Sequence, residues 1–149
     1  PYTVRTYYLS NCDECSPSDG IPTLKMAELV GSSIQVTPLV EGIEDIHFEY
    51  GFDLDANGAP DCFAADPADD TAPADCPAGW STTDSVNWSN ITSVRVHLLA
   101  RSIDATGSWT DNRTYDLGRA ARSGPFDDHY KRQVYSTVLA IPNVGGVRE

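Results

Sequence analysis

Three segments of the chain alternate apolar and polar side chains with a period of two, the mark of strands that bury one face. In IHFEYGF, residues 46–52, Ile46, Phe48, Tyr50 and Phe52 share one face, with His47 and Glu49 on the other. In SVRVHLLAR, residues 93–101, Val94, Val96, Leu98 and Ala100 line one face and Arg95, His97 and Arg101 the other. RQVYSTVLAI, residues 132–141, puts Tyr135, Thr137, Leu139 and Ile141 on one side and Val134, Ser136 and Val138 opposite, so both of its faces suit cover. These three segments predict the centre of a sheet. Shorter strands are predicted over Tyr2–Leu9, Leu24–Leu29, Ile34–Thr37 and Thr114–Leu117. Helical spacing is confined to LVEGIEDI, where Leu39, Ile43 and Ile46 recur at i, i+4 and i+7 behind Pro38, a residue suited to a first helical turn. One short helical turn is therefore expected to feed the strand at Ile46, and the fold class is α+β, mainly β.

Between Asp53 and Cys76 the pattern breaks off. This stretch holds seven aspartates, no lysine or arginine, and prolines at Pro60, Pro67 and Pro73. It has too few apolar groups to offset the entropy of ordering it, so it needs a staple. A bridge from Cys62 to Cys76 would close the loop and contribute roughly 3 kcal/mol on the chain-entropy model. The 149 residues suit a single globular domain, 1–149, carrying this acidic loop at 53–76.

Across the whole chain ten basic residues stand against twenty-two acidic ones, a net charge of −12. Such a charge repels nucleic-acid backbones and anionic membrane surfaces, so nucleic acid is not an expected partner. No run reaches the ~18 apolar residues of a spanning helix, and the chain is expected to be soluble rather than membrane-spanning. It opens directly into strand-like alternation at PYTVRTYYLS, with no start methionine, as an excised or processed piece would.

The four cysteines, Cys12, Cys15, Cys62 and Cys76, allow three pairings; local pairing, Cys12 with Cys15 and Cys62 with Cys76, is the simplest. Zinc is disfavoured because the second pair is widely spaced with no histidine near it. Haem attachment is excluded because Ser16, not histidine, follows Cys15. Redox activity is disfavoured because Asp13 and Glu14 lie between the first two sulfurs and oppose a thiolate. Structural disulfides in an oxidising, exported compartment fit best, with no organic cofactor.

One stretch of the acidic loop, DLDANGAPD, has the spacing of a calcium loop. Oxygen ligands in such loops come from positions 1, 3, 5, 7 and 9, with glycine at 6 and a bidentate glutamate at 12. Asp53, Asp55, Asn57, the Ala59 carbonyl and Asp61 fill the first set and Gly58 the turn, but position 12 is Ala64. Asp66 or Asp69 would have to fold back to replace the missing ligand. The competing reading is a polar turn in which Asp and Asn bond their own backbone.

No other chemistry stands out. His47, His97 and His129 are scattered, no glycine-flanked serine or His-Glu metal pair is present, and no nucleophile stands beside a base in the sequence. No catalytic residue is predicted. The triplets NWS, NIT and NRT at Asn87, Asn90 and Asn112 match the glycosylation acceptor pattern and mark surface loops at most.

Four segments taken in order carry a family likeness: RTYYLSNCDECSPSDGIPTL, PLVEGIEDIHFEYGFDLDANGAPD, ITSVRVHLLARS and YKRQVYSTVLAIPNVGG. Together they resemble the C-terminal part of the type IV pilus assembly protein PilW family, and more distantly the J pseudopilin of type II secretion. The most specific element is LVEGIEDIHFEYGFD, followed by an aspartate-rich turn and then VRVHLLARS. The resemblance implies a minor pilin: a subunit at or near a filament tip that helps to start assembly, with no enzymatic activity or prosthetic group. It implies a pilin-like antiparallel sheet packed on a helix, a cell-surface or extracellular location in a Gram-negative-type bacterium, and other pilin subunits as partners. The family's membrane-anchoring N-terminal helix and the processing site before it are not among these residues. The sheet is therefore expected to pack on a helix supplied from outside this chain, by a longer precursor or by a separate helix-bearing pilin chain. A second class of function is a calcium-dependent extracellular adhesin or carbohydrate-binding module, using the acidic loop with Tyr7, Trp80, Trp88 and Trp109.

Overall fold

The computed structural model describes residues 3–76 and 78–141. Tyr2, which opens the first expected strand, and residues 142–146, which end the last family-like segment, lie outside them. The chain is mainly β. Strands β1 (Arg5–Ser10), β2 (Thr23–Val30) and β3 (Ser33–Glu41) form one antiparallel sheet in that order. Strands β4 (Ile43–Phe52), β5 (Cys62–Ala64), β6 (Ile91–Arg101) and β7 (Arg132–Ala140) form a second, in the order β5-β4-β6-β7, and one short helix, α1 (Asp84–Ser89), precedes β6.

The helical turn expected over Leu39–Ile46 is not formed. Those residues are the end of β3 and the start of β4, joined at a corner on Gly42. Ile34, Val36, Thr37, Val40, Ile43 and Ile46 are β-branched or followed by β-branched neighbours on a pleated surface, and this preference outweighs three apolar residues at helical spacing. Gly42 fits the corner for a steric reason. Its φ is 79°, and a Cβ there would lie 2.6 Å from the Arg101 carbonyl oxygen. Its N–H donates to the Pro22 carbonyl at 2.6 Å and its own carbonyl accepts from Arg101 N–H at 2.7 Å. The strand expected at Thr114–Leu117 shrinks to a single bridge between Tyr115 and Ser123.

The described residues fall into two compact units, one of residues 3–46, 98–117 and 122–135, the other of 47–97, 118–121 and 136–141. The first has Leu99, Tyr115 and Leu117 at its centre, packed by Val134. Beside them Arg132, its side chain 1% exposed, gathers three carboxylates. Its guanidinium donates to Glu44, to Asp111 Oδ2 at 3.0 Å and to both oxygens of Asp128 at 2.6 and 2.7 Å. Burial acts to raise the Asp111 carboxyl, but hydrogen bonds from Tyr115, Arg132 and Arg113 outweigh it and hold the group below the usual carboxylate range. The Arg132 hydrogen bonds do the same for Asp128.

The second unit is centred on Phe52, Cys62, Ala64 and Ile91, with Trp80 edge-on to Phe52 at 4.8 Å. At the middle of β4 and β6 burial runs against hydropathy. Glu49 and His97, on the expected polar faces of β4 and β6, are 7% and 9% exposed, whereas Phe48 is 45% exposed. The cover over this pair comes from Gly118. Gly118 has φ 77°, and a Cβ there would fall 2.6 Å from Glu49 Oε2 and 2.8 Å from His97 Nε2, so only glycine lets the backbone lie on this pair.

Candidate functional site

The acidic loop leaves β4 at Asp53 and returns to pair as β5 at Cys62, with register Phe52↔Cys62 and Tyr50↔Ala64. The turn between them is built by its own side chains. Asp53, 3% exposed, accepts Asn57 N–H at 3.1 Å and Gly58 N–H at 3.0 Å; Asp55 accepts Asn57 N–H at 3.1 Å; Asp61 accepts Leu54 N–H at 2.7 Å. Positive φ at Ala56 and Gly58 lets the chain curl round these oxygens. The result brings Asp53, Asp55 and Asp61 together, with one carboxylate oxygen from each lying within 4.8 Å of the others. Two oxygens bound to one calcium at 2.3–2.6 Å stand at most roughly 5 Å apart, so the three fit a shared cation.

The remaining expected ligands are used differently. Asn57 turns its Oδ1 to the Ala59 N–H at 2.8 Å and donates its amide to Asp55 Oδ2 at 2.9 Å. Asp66 and Asp69 do not join the cluster: each accepts a backbone N–H two residues on, from Ala68 and Thr71. The carboxylates thus converge while local turn bonding consumes part of their capacity.

Cys62 is bonded to Cys76 with Cα atoms 5.0 Å apart, and Cys12 to Cys15 with Cα atoms 5.2 Å apart. The first bridge sits in the aromatic core beside Phe52 and Trp80, and Trp80 Nε1 donates to the Asp69 carbonyl at 2.9 Å, fixing the far side of the loop. Asn87 completes the staple. It is 1% exposed, donates to the carbonyls of Pro67 and Ser81 and accepts Ser81 N–H. Its acceptor triplet is therefore not a surface feature: the side chain is consumed in holding α1 to the loop. Of the aromatic residues expected to be exposed, Tyr7 and Trp88 are, at 58% and 49%, while Trp80 is packed on Phe52 and Trp109 lies against Arg113.

A second constellation lies outside the sequence expectations. His97 Nε2 stands 2.9 Å from Glu49 Oε2, His97 Nδ1 2.7 Å from Ser136 Oγ, and Arg95 donates to Glu49 at 3.2 Å. Alternation had put Glu49, Arg95 and His97 on polar strand faces. What joins them with Ser136 is the pairing of β4, β6 and β7, which strand periodicity does not encode.

No curated protein and no solved structure matches this chain. The model of one family does, described as Type IV Pilus-assembly protein W, and it matches residues 6–143, from β1 through β7. Both sheets, the acidic loop and both disulfides fall inside that span, and the chain belongs to the type IV pilus-assembly protein W family.

Proposed function

We propose that this chain is the globular domain of a minor pilin, a structural or assembly-initiating component of a type IV pilus-like filament outside the cell. The family match over residues 6–143 is the observation that carries this reading. Its partners are other pilin subunits or a helix-bearing pilin chain, and the pilin-like sheet packs on a helix supplied from outside these residues. The second unit supports that arrangement. The hydrogen bonds of Glu49 and Ser136 to His97 put those three on one face of β4, β6 and β7, so alternation turns Phe48, Val94, Val96 and Leu139 to the other. Phe48 is 45% and Leu139 57% exposed there. At ~25 cal/mol per Å², covering several hundred Å² of such a face yields on the order of 10 kcal/mol before entropy costs, enough to seat a helix. Among the described residues no helix is long and apolar enough to cross a membrane.

Site-directed cross-linking tests this. With cysteine placed at Phe48 and scanned along the N-terminal helices of co-expressed filament subunits, a periodic pattern of cross-links at every third or fourth helical position is expected. Uniform absence of cross-links, in a chain that is monomeric and binds no dye for apolar surfaces, contradicts it.

The loop at Asp53–Asp61 is proposed to bind calcium weakly, in roughly the 10⁻⁴ to 10⁻³ M range of extracellular sites, because position 12 lacks its glutamate. The convergence of Asp53, Asp55 and Asp61 supports this. Calorimetry should give binding heat at millimolar calcium that disappears in Asp55→Ala; no heat in the wild type returns the loop to a plain turn. A calcium-dependent adhesin is the second reading, favoured by half-exposed Trp88 beside Tyr50. Cell or glycan binding abolished by chelator would select it.

A further inference from the structure

We propose that Ser136 is a base-activated nucleophile that accepts acyl groups from esters with good leaving groups. The geometry is a three-member relay across three strands. Glu49 on β4 is an acceptor only, so with neutral imidazole it holds the His97 Nε2–H at 2.9 Å and leaves the Nδ1 lone pair to accept the Ser136 hydroxyl at 2.7 Å. That is the arrangement in which a carboxylate fixes a histidine tautomer and the histidine takes the serine proton. Arg95 donates to the same Glu49 oxygen, Oε2, at 3.2 Å and helps to fix where that carboxylate sits.

Exposure is graded in the sense the chemistry needs. Glu49 and His97 are buried, at 7% and 9%, and Gly118 lies directly over them, whereas Ser136 is exposed on β7. The base is thus shielded from competing water while the nucleophile is open to a solute. A sheet that needed only to satisfy two buried polar groups could have ended the chain of bonds at a buried hydroxyl. Here it ends at an accessible one.

In the step itself Ser136 Oγ forms a bond to the ester carbonyl carbon as its proton passes to His97 Nδ1. The carbon–oxygen bond to the leaving group then breaks, and His97 returns the proton to the departing oxygen. The products are acyl-Ser136 and an alcohol or phenol, and attack by water on the acyl-serine releases a carboxylic acid and restores the hydroxyl. Glu49 acts through His97 and is a positioning residue.

The probe is 4-nitrophenyl acetate on the intact chain, with phenolate release followed by absorbance and the acetyl group mapped by peptide mass spectrometry. Acetylation is expected at Ser136, ahead of the exposed Ser33 and Ser108. Ser136→Ala should remove it, and His97→Gln should slow it about 100-fold or more. Glu49→Gln should alter the nitrogen-15 shifts of His97 that report its tautomer, a readout that loss of packing alone does not move. Acetylation of Ser136 no faster than of Ser33 and Ser108, or an undiminished rate in folded His97→Gln, overturns the proposal. Should His97→Gln not fold, the comparison among the three serines in the wild type decides.

Discussion

The core of one unit of this molecule is tied by a buried ion cluster and that of the other by a disulfide set among aromatic rings, although the same strands β4, β6 and β7 supply residues to both. In the first, Arg132 brings together Glu44, Asp111 and Asp128, which lie far apart in the sequence, and Tyr115 donates to both oxygens of Asp111 at 2.8 Å. In the second, the densest acidic stretch of the chain has no basic residue of its own and is ordered by Cys62–Cys76, Trp80 and Asn87. The difference follows from what each charge can reach. A buried guanidinium offers five donors in a fixed fork and can satisfy several carboxylates at once, whereas aspartates crowded into one loop repel one another and need a covalent closure, a turn network or a cation.

The largest expected effect breaks the charged half. Arg132→Ala removes the buried guanidinium that three carboxylates share, a loss of about 3–5 kcal/mol, and hydrogen exchange should show it first at residues 98–117 and 122–135. Acid should act on the same unit. Asp111 and Asp128 have lowered folded values, so their contribution is present above the unfolded carboxylate pKa of about 3.9 and is lost as pH falls through those lowered values. A denaturation series should therefore show stability falling below about pH 4, and the Arg132→Ala variant should lose the Asp128 share of that dependence while Tyr115 and Arg113 keep part of the Asp111 share.

Next in size is the bridge. Cys62→Ser with Cys76→Ser should cost about 3 kcal/mol and raise exchange at residues 53–76 while sparing the Arg132 cluster. Equal loosening around Arg132 would erase the distinction between the two units. The smallest effect sharpens it: Asn87→Ala strands the Pro67 and Ser81 carbonyls and the Ser81 N–H, costing about 2 kcal/mol, read as faster exchange in α1 and the adjoining loop.

Much of this was legible in the residues. The three long alternating segments are strands, the short ones at Leu24–Leu29 and Ile34–Thr37 are the middles of β2 and β3, and the local cysteine pairs are the bonded ones. Asp53, Asp55 and Asp61 converge because their spacing around Gly58 is a local property of a turn. What the sequence hid depends on long-range cover. The burial of Glu49 and His97 depends on Gly118 lying over the polar face, while the apolar face of β4 is buried at Phe52 and open at Phe48. Helix α1 was missed because six residues with only Thr83 and Asp84 as starting signals carry no helical period. β5 was missed because three residues cannot alternate visibly. The His97 constellation depends on strand pairing, and the Arg132 cluster on long-range folding that brings Asp111 and Glu44 to a residue four positions after Asp128.

The central claim is that this chain acts in building a type IV pilus-like filament through the open apolar face at Phe48. Its most direct measurement is the number of surface filaments on a bacterium whose copy of the gene has been deleted and then restored. The account predicts that deletion lowers filament number, that the wild-type gene restores it, and that Phe48→Asp, though folded and exported, does not. Filament numbers unchanged by the deletion, or restored in full by Phe48→Asp, would contradict it.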